Sequence, residues 1–210
     1  MFIHKIVNSY FNSNTYILYT DSSSDVWIID PGDSVQVLQW ICQHGKDQVA
    51  GMLITHAHFD HIYGINELLE HYPETPIYTS IHGGVENMKD KRKNGSKYSE
   101  WPFEIFSDYF IETEEHTQVQ LWDDVLLTVY ETPGHSKDSI SFSVNNNLFT
   151  GDALIPKIRV VTKLKEGNKA VARKTLNRIF EEFGDDVIIN PGHELSCKLG
   201  VLKNDNFEYI

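Results

Sequence analysis

Apolar and polar positions along the chain follow two rhythms. Short runs of β-branched and aromatic residues recur in the first half at "NTYILYT" (14–20), "DVWIID" (25–30), "VAGMLIT" (49–55) and "TPIYTS" (75–80). "HTQVQL", "VLLTVYET", "SISFSV", "NLFTG" and "DVIIN" continue the series in the second half. Such runs, bounded by turn formers such as "DSSSD", "WDD" and "NN", predict strands. Between them the spacing shifts to three and four. "SVQVLQWICQHG" reads as a helix closed by Gly45, and Ile65, Leu68, Leu69 and Tyr72 mark a second helix ended by Pro73. A third is predicted at about 168–183, with Ala172, Leu176, Ile179, Phe180 and Phe183 as its inner stripe and Gly184 as its cap. The segment 86–116 is polar, then aromatic, and shows no clear period.

Two β-rich halves, each with helices, fit a single layered α/β domain over residues 1–210 better than two separate ones. A chain of 210 residues is long enough to bury one substantial core. Its apolar runs are far too short to cross a bilayer. The start "MFIHKIVNSY" lacks the basic-then-apolar pattern of a secretory leader. Cys42 and Cys197 are too few for a disulfide framework, which suits a reducing interior and a cytoplasmic location. Cys197 reads as a small buried hydrophobe. The formal charge of −12 argues against nucleic-acid binding, which depends on basic surface. The one dense basic run, "KDKRKNGSK" at 89–97, reads as a solvated loop or helix end.

The histidines change the picture. "LITHAHFDHIYG" (53–64) places His56, His58, Asp60 and His61 directly after an apolar strand, where burial gains nothing from them. His135 follows "VYETPG", Asp152 follows "LFTG" and His193 follows "VIINPG", so the same placement recurs at four strand ends. His4, His44, His71, His82 and His116 lack that context and read as surface residues. Strand ends at one sheet edge lie close together, so these loops can converge. His56 and His58, two apart, project to the same side in extended backbone. Asp60 and His61 lie on the turn into the following helix. Neutral imidazole with carboxylate is a ligand set for zinc, iron or manganese.

In these motifs the chain resembles the metallo-β-lactamase-fold hydrolases: "THAHFDH", "TPGHS", "TGDAL" and "NPGHE" occur in the family's order, from "NTYIL" and "IIDPG" onward. The resemblance implies an αββα four-layer sandwich, two mixed sheets flanked by helices, with metals at one edge. It implies His56, His58 and His135 on one ion, Asp60, His61 and His193 on a second, and Asp152 bridging them. Asp30 in "IDPG" is then either a residue that hydrogen-bonds a ligand or its loop, or plain turn chemistry before Pro-Gly. An aspartate at the bridging position resembles the two-metal hydrolases more than true β-lactamases. "HAHFDHIYGI", "TPGHSKDSISF" and "LFTGDAL" look most like the hydroxyacylglutathione hydrolase (glyoxalase II) group. The departures are the missing C-terminal helical domain, Tyr63 in place of the usual glycine, and "IPKIRVVTKLKEG" in place of a Gly-Lys or Gly-Arg motif.

That reading implies two divalent metal ions, zinc first and iron or manganese next, with a bridging hydroxide as nucleophile. Asp60 and Asp152 are the catalytic carboxylates, Asp60 orienting the hydroxide. No acid stands outside the ligand set to protonate an amine, so thioesters or activated esters of a small molecule are favoured over amides. A thiolate of parent pKa about 8.5 leaves unaided. The rivals are a persulfide dioxygenase holding one iron with His56, His135 and Asp152, a phosphodiesterase of the same fold, and a non-catalytic metal module. For the substrate, Lys157 or Arg159 is expected to receive an anionic group. Trp101, Phe103, Phe106, Tyr109 and Phe110 are expected to form a cover near the metals. The oligomeric state is not readable.

Overall fold

The computed structural model describes residues 1–210, which divide into two compact units, Met1–Thr113 and Glu114–Ile210. The first unit holds a six-stranded sheet in the order β1 (Phe2–Val7), β2 (Asn14–Tyr19), β3 (Asp25–Ile29), β4 (Gln48–Leu53), β5 (Ile77–Ser80) and β6 (Phe110–Thr113). β1, β2 and β3 pair antiparallel, and β3 to β6 run parallel. The parallel strands are joined by helices α1 (Ser34–Gln43), α2 (Phe59–Ile62), α3 (Ile65–His71) and α4 (Gly84–Met88). Helix α1 turns Val37, Trp40 and Ile41 inward, and Gly45 beyond its end takes φ 62°, as a left-handed cap requires. The core of this unit is Ile17, Ile28, Met52, Ile54, Ile62, Ile65 and their neighbours.

Of the histidines expected at the surface, His44 is exposed and stacks on Trp40 with centroids 4.1 Å apart, while His4 is half-buried against the same ring at 5.2 Å. The aperiodic segment 86–116 contributes α4, a 3₁₀ turn at Ser96–Tyr98 and the edge strand β6. Its loop is held by side chains bonding to backbone. The Asn94 amide and Ser96 hydroxyl both donate to the Phe103 carbonyl, at 3.2 and 2.8 Å. The basic run is a surface loop as expected, with Arg92 on Asp90 and Lys93 on Glu86.

The second unit carries the other sheet, in the order β12 (Cys197–Lys198), β11 (Ile188–Pro191), β10 (Asn147–Gly151), β9 (Ile140–Val144), β8 (Val125–Glu131) and β7 (Gln118–Trp122). Only β10 and β11 run parallel. Helix α5 (Lys169–Glu182) starts at Asn168, whose side chain accepts from the N–H groups of Ala170 and Val171. It buries Ala172, Thr175, Leu176 and Ile179. The helix ends with Phe183 in extended backbone rather than on Gly184, so the predicted glycine cap is replaced by an abrupt exit. A short helix, α6 (Leu199–Lys203), completes a core with Leu148, Leu176, Ile189 and Tyr209, against which the half-buried Cys197 packs. No helix of the chain is long and apolar enough to cross a membrane.

Candidate metal centre

In the first unit, parallel pairing brings the carboxyl ends of β3 and β4 side by side: Ile29 is in register with Leu53, and the Asp30 N–H donates to the Leu53 carbonyl at 3.0 Å. Asp30, the residue after β3, thereby lies beside the residues after β4. Its buried carboxylate accepts from the Thr55 N–H at 2.8 Å and the Thr55 hydroxyl at 2.7 Å, and lies 3.2 Å from His61 Nδ1. Asp30 both contacts His61, a candidate ligand, and occupies the turn before Pro-Gly. Gly32 and Gly64 make this approach feasible. The Gly64 N–H donates to the Pro31 carbonyl at 3.0 Å, and a Cβ on Gly64 would fall 2.0 Å from the Gly32 oxygen.

His56 and His61 are buried, with ring centroids 4.3 Å apart, and His58 lies edge-on to His56 at 4.7 Å. His56 Nδ1 faces the Thr55 hydroxyl at 3.1 Å. His61 Nε2 stands 3.6 Å from an Asp60 oxygen. Ser13 fixes the start of the ligand helix by donating to the Asp60 carbonyl at 2.6 Å.

The second unit positions its own histidines and aspartate by the same device. Gly151 is in register with Pro191, and the Gly192 N–H donates to the Gly151 carbonyl at 2.8 Å, which sets Asp152 beside His193. His135 comes from the loop after β8. There Gly134, at φ 136°, presses on α5 so closely that a Cβ would lie 2.3 Å from the Ala172 Cα. His135 Nδ1 lies 2.9 Å from the Val161 carbonyl. The Asp152 carboxylate divides its oxygens, Oδ2 standing 3.5 Å from His135 Nε2 and Oδ1 standing 3.5 Å from His193 Nε2.

These donors fit a divalent ion. Nδ1 of His56, His61 and His135 faces a hydroxyl, a carboxylate and a carbonyl in turn, which suits Nε2 as the nitrogen toward a metal. Nε2–carboxylate separations of 3.5 to 3.6 Å are long for a hydrogen bond. Ligand atoms about 2.0–2.2 Å from a tetrahedral ion lie roughly 3.3–3.6 Å from one another. The residues that sequence reasoning did not find are those that hold the candidate ligands: Thr55, Ser13 and the Val161 carbonyl. None carries a metal-ligand signature.

Lys157 and Arg159 each face a carboxylate, Lys157 Nζ at 2.7 Å from Asp205 and Arg159 at 3.1 Å from Glu208. Of the five expected cover aromatics, Phe103 and Phe110 pack against the first core, while Trp101, Phe106 and Tyr109 stay exposed.

Histidine and aspartate donors gathered at strand ends, in groups that could hold a metal ion, define the class of protein to which the chain is to be compared. The family model described as the metallo-beta-lactamase superfamily matches residues 9–193, and the chain belongs to that family. Hydroxyacylglutathione hydrolase from Hahella chejuensis is 30% identical over 182 residues, an alignment that covers 85% of this chain and 61% of that protein. The chain thus spans about three fifths of that relative's length. Among solved structures, BLEG-1 B3 metallo-beta-lactamase superposes with a TM-score of 0.87 at 24% identity, covering 98% of each chain. TTHA1623 in a di-iron-bound form gives 0.81 at 21% identity, covering 97% of this chain and 98% of that one. Likeness at these identities establishes the metallo-β-lactamase fold, two mixed sheets flanked by helices, in agreement with the fold class expected from the motifs.

Proposed function

We propose that residues 1–210 act as one metallo-β-lactamase-like domain, a binuclear metal-dependent hydrolase of small acyl thioesters or activated esters. His56, His58 and His135 would hold one ion and Asp60, His61 and His193 the other, with Asp152 available to both. The observation that carries this reading is the divided carboxylate of Asp152, one oxygen at ligand spacing from His135 and the other from His193. Zinc suits the donors first, and iron or manganese is served by the same set. The ions, when bound, supply an activated water at neutral pH and an electrophile for the carbonyl oxygen.

The chain's own residues do the rest. Asp30, Thr55 and the Val161 carbonyl fix the tautomer and tilt of three imidazoles. Asp60 orients the attacking water. No further acid stands among the assigned residues, so a leaving group that departs as an anion is favoured, and a thiolate does so. The named activity of the Hahella relative, on a glutathione thioester, agrees with this preference. A small-molecule substrate follows from the same reading, and two free cysteines with no disulfide suit a cytoplasmic location. An anionic group reaching Arg159 has to displace only Glu208, an exposed pair weak enough to yield, whereas at Lys157 it competes with the largely buried Asp205, which Tyr209 also holds.

Metal-loaded protein assayed against a panel of thioesters, S-acyl glutathiones included, is expected to hydrolyse at least one. Asp152→Ala is expected to lower that rate by at least about 100-fold while the circular dichroism spectrum stays native. Protein that ignores every thioester but consumes oxygen with a persulfide would overturn the proposal in favour of the dioxygenase reading.

A further inference from the structure

Within the first unit, an aromatic recess adjoins the proposed ligands Asp60 and His61. Phe59 at the start of α2 and Tyr63 just past its end flank that pair, the β1–β2 turn supplies Tyr10, and the loop after the 3₁₀ turn supplies Trp101 and Phe103. With Asn66 and others they line a cavity of about 260 Å³.

Core packing does not explain Trp101, which is 74% exposed, or Phe11 beside the recess, which is 69% exposed. Water-exposed aromatics grouped around a cavity mark a binding surface. They are also held in place. Tyr10 meets Phe59 and Tyr63 edge-on, with centroids 5.8 and 5.0 Å apart, and Phe11 meets Phe59 at 5.7 Å. The turn presenting them has Phe11 at φ 50° and Asn12 at φ 53°, a left-handed pair that a bulky side chain adopts only at a cost, and such strain collects at ligand clamps.

The lining sets the chemistry of the occupant. No lining residue is charged. The Tyr63 hydroxyl donates to Asp33, the Asn66 amide to the Glu104 carbonyl at 2.8 Å, and the Ser99 hydroxyl to the Ser96 carbonyl at 2.7 Å. With those groups engaged, the recess offers mainly ring faces and edges. A carboxylate or ammonium entering it would lose water and find no counter-charge. We propose that this pocket receives an uncharged aromatic or branched apolar substituent of the thioester substrate, an inference that rests on the hydrolase reading above.

Such a substituent can stand on the acyl carbon or on the thiol, and the test separates the two. One series compares acetyl with phenylacetyl on a common small thiol, and the other compares ethyl with benzyl thiol on a common acetyl group. In parallel, binding of benzyl phenethyl sulfide, which cannot be hydrolysed, is measured by calorimetry on metal-free protein. In one series kcat/KM is expected to be at least 10-fold higher for the ring-bearing member. Trp101→Ala and Tyr10→Ser are each expected to cut that ratio at least 5-fold, chiefly through KM, and to weaken the sulfide. Hydrolysis with ratios near one in both series and no sulfide binding would overturn the pocket and leave the hydrolase reading intact. Sulfide binding that Trp101→Ala abolishes, with no thioester turned over, would sustain the pocket and overturn the hydrolase. Wild-type protein that self-associates while Trp101→Ala does not, with no sulfide bound, would make the surface an interface and overturn the proposal.

Discussion

Asp30 shows how much a single residue can carry. It sits at φ 50°, a left-handed conformation uncommon outside glycine, and is buried. That backbone turns its carboxylate back onto Thr55 and His61. Asp30→Ala would leave these donors without their acceptor, and the affinity of the ion held by His61 is expected to fall about 10- to 100-fold in a chelator competition. A change below threefold would mean that Asp30 serves only its turn. Asp33 makes a second clamp, accepting from the Ser9 N–H and hydroxyl at 2.9 and 2.8 Å, from Tyr63, and from Gln36 at 2.7 Å. Burial pushes its carboxyl upward, but these hydrogen bonds outweigh burial and hold it below the usual carboxylate range. The stability it contributes is therefore complete above about pH 4 and lost as pH falls through the lowered value. Urea unfolding of Asp33→Asn should show a deficit that is constant from pH 5 to 8 and shrinks below about pH 4. A deficit independent of pH would contradict the clamp. The sequence left Asp30 between two roles, because its contact with His61 depends on the register of β3 against β4. Thr55 read as one more strand residue for the same reason.

At the scale of elements, strand ends deliver every proposed ligand, and loops decide how firmly each is held. His135 depends on the Val161 carbonyl. The residue before it, Val160, donates its N–H to the Tyr209 carbonyl at 2.8 Å. Lys157 pairs with Asp205, which also accepts from the Tyr209 hydroxyl at 2.9 Å. Residues 205–209 thus brace the loop that braces a ligand. Tyr209 is buried in the second core, so Tyr209→Ala is expected to destabilise by about 3 kcal/mol and to weaken metal binding, whereas Tyr209→Phe loses about 1 kcal/mol. Denaturant titration with metal analysis checks both, and an alanine variant with native stability and metal affinity would contradict the brace. Helix α5 was legible to within a residue because its apolar stripe repeats at helical spacing over four turns. The loop 89–109 was not, since it is ordered by Asn94 and Ser96 bonding to distant backbone, which leaves no period. Strand β12 is two residues long and exists only through its pairing with β11, so no local pattern announces it.

At the scale of the whole chain, the proposed ligands were legible because each follows a recognisable strand and its residue type is chemically unusual there. The partners of Lys157 and Arg159 were not, because they lie more than forty positions away, joined only by the fold. A net charge of −12 turns anions away at long range, which suits a substrate recognised by apolar contact near the metals. The central claim is that seven residues hold two ions, and metal content per chain tests it most directly. Protein loaded with zinc and freed of excess is predicted to contain two ions per chain by elemental analysis, with His61→Ala falling to one. A wild-type chain saturated at one ion, matched by an His61→Ala variant with the same content and full activity, would contradict the account.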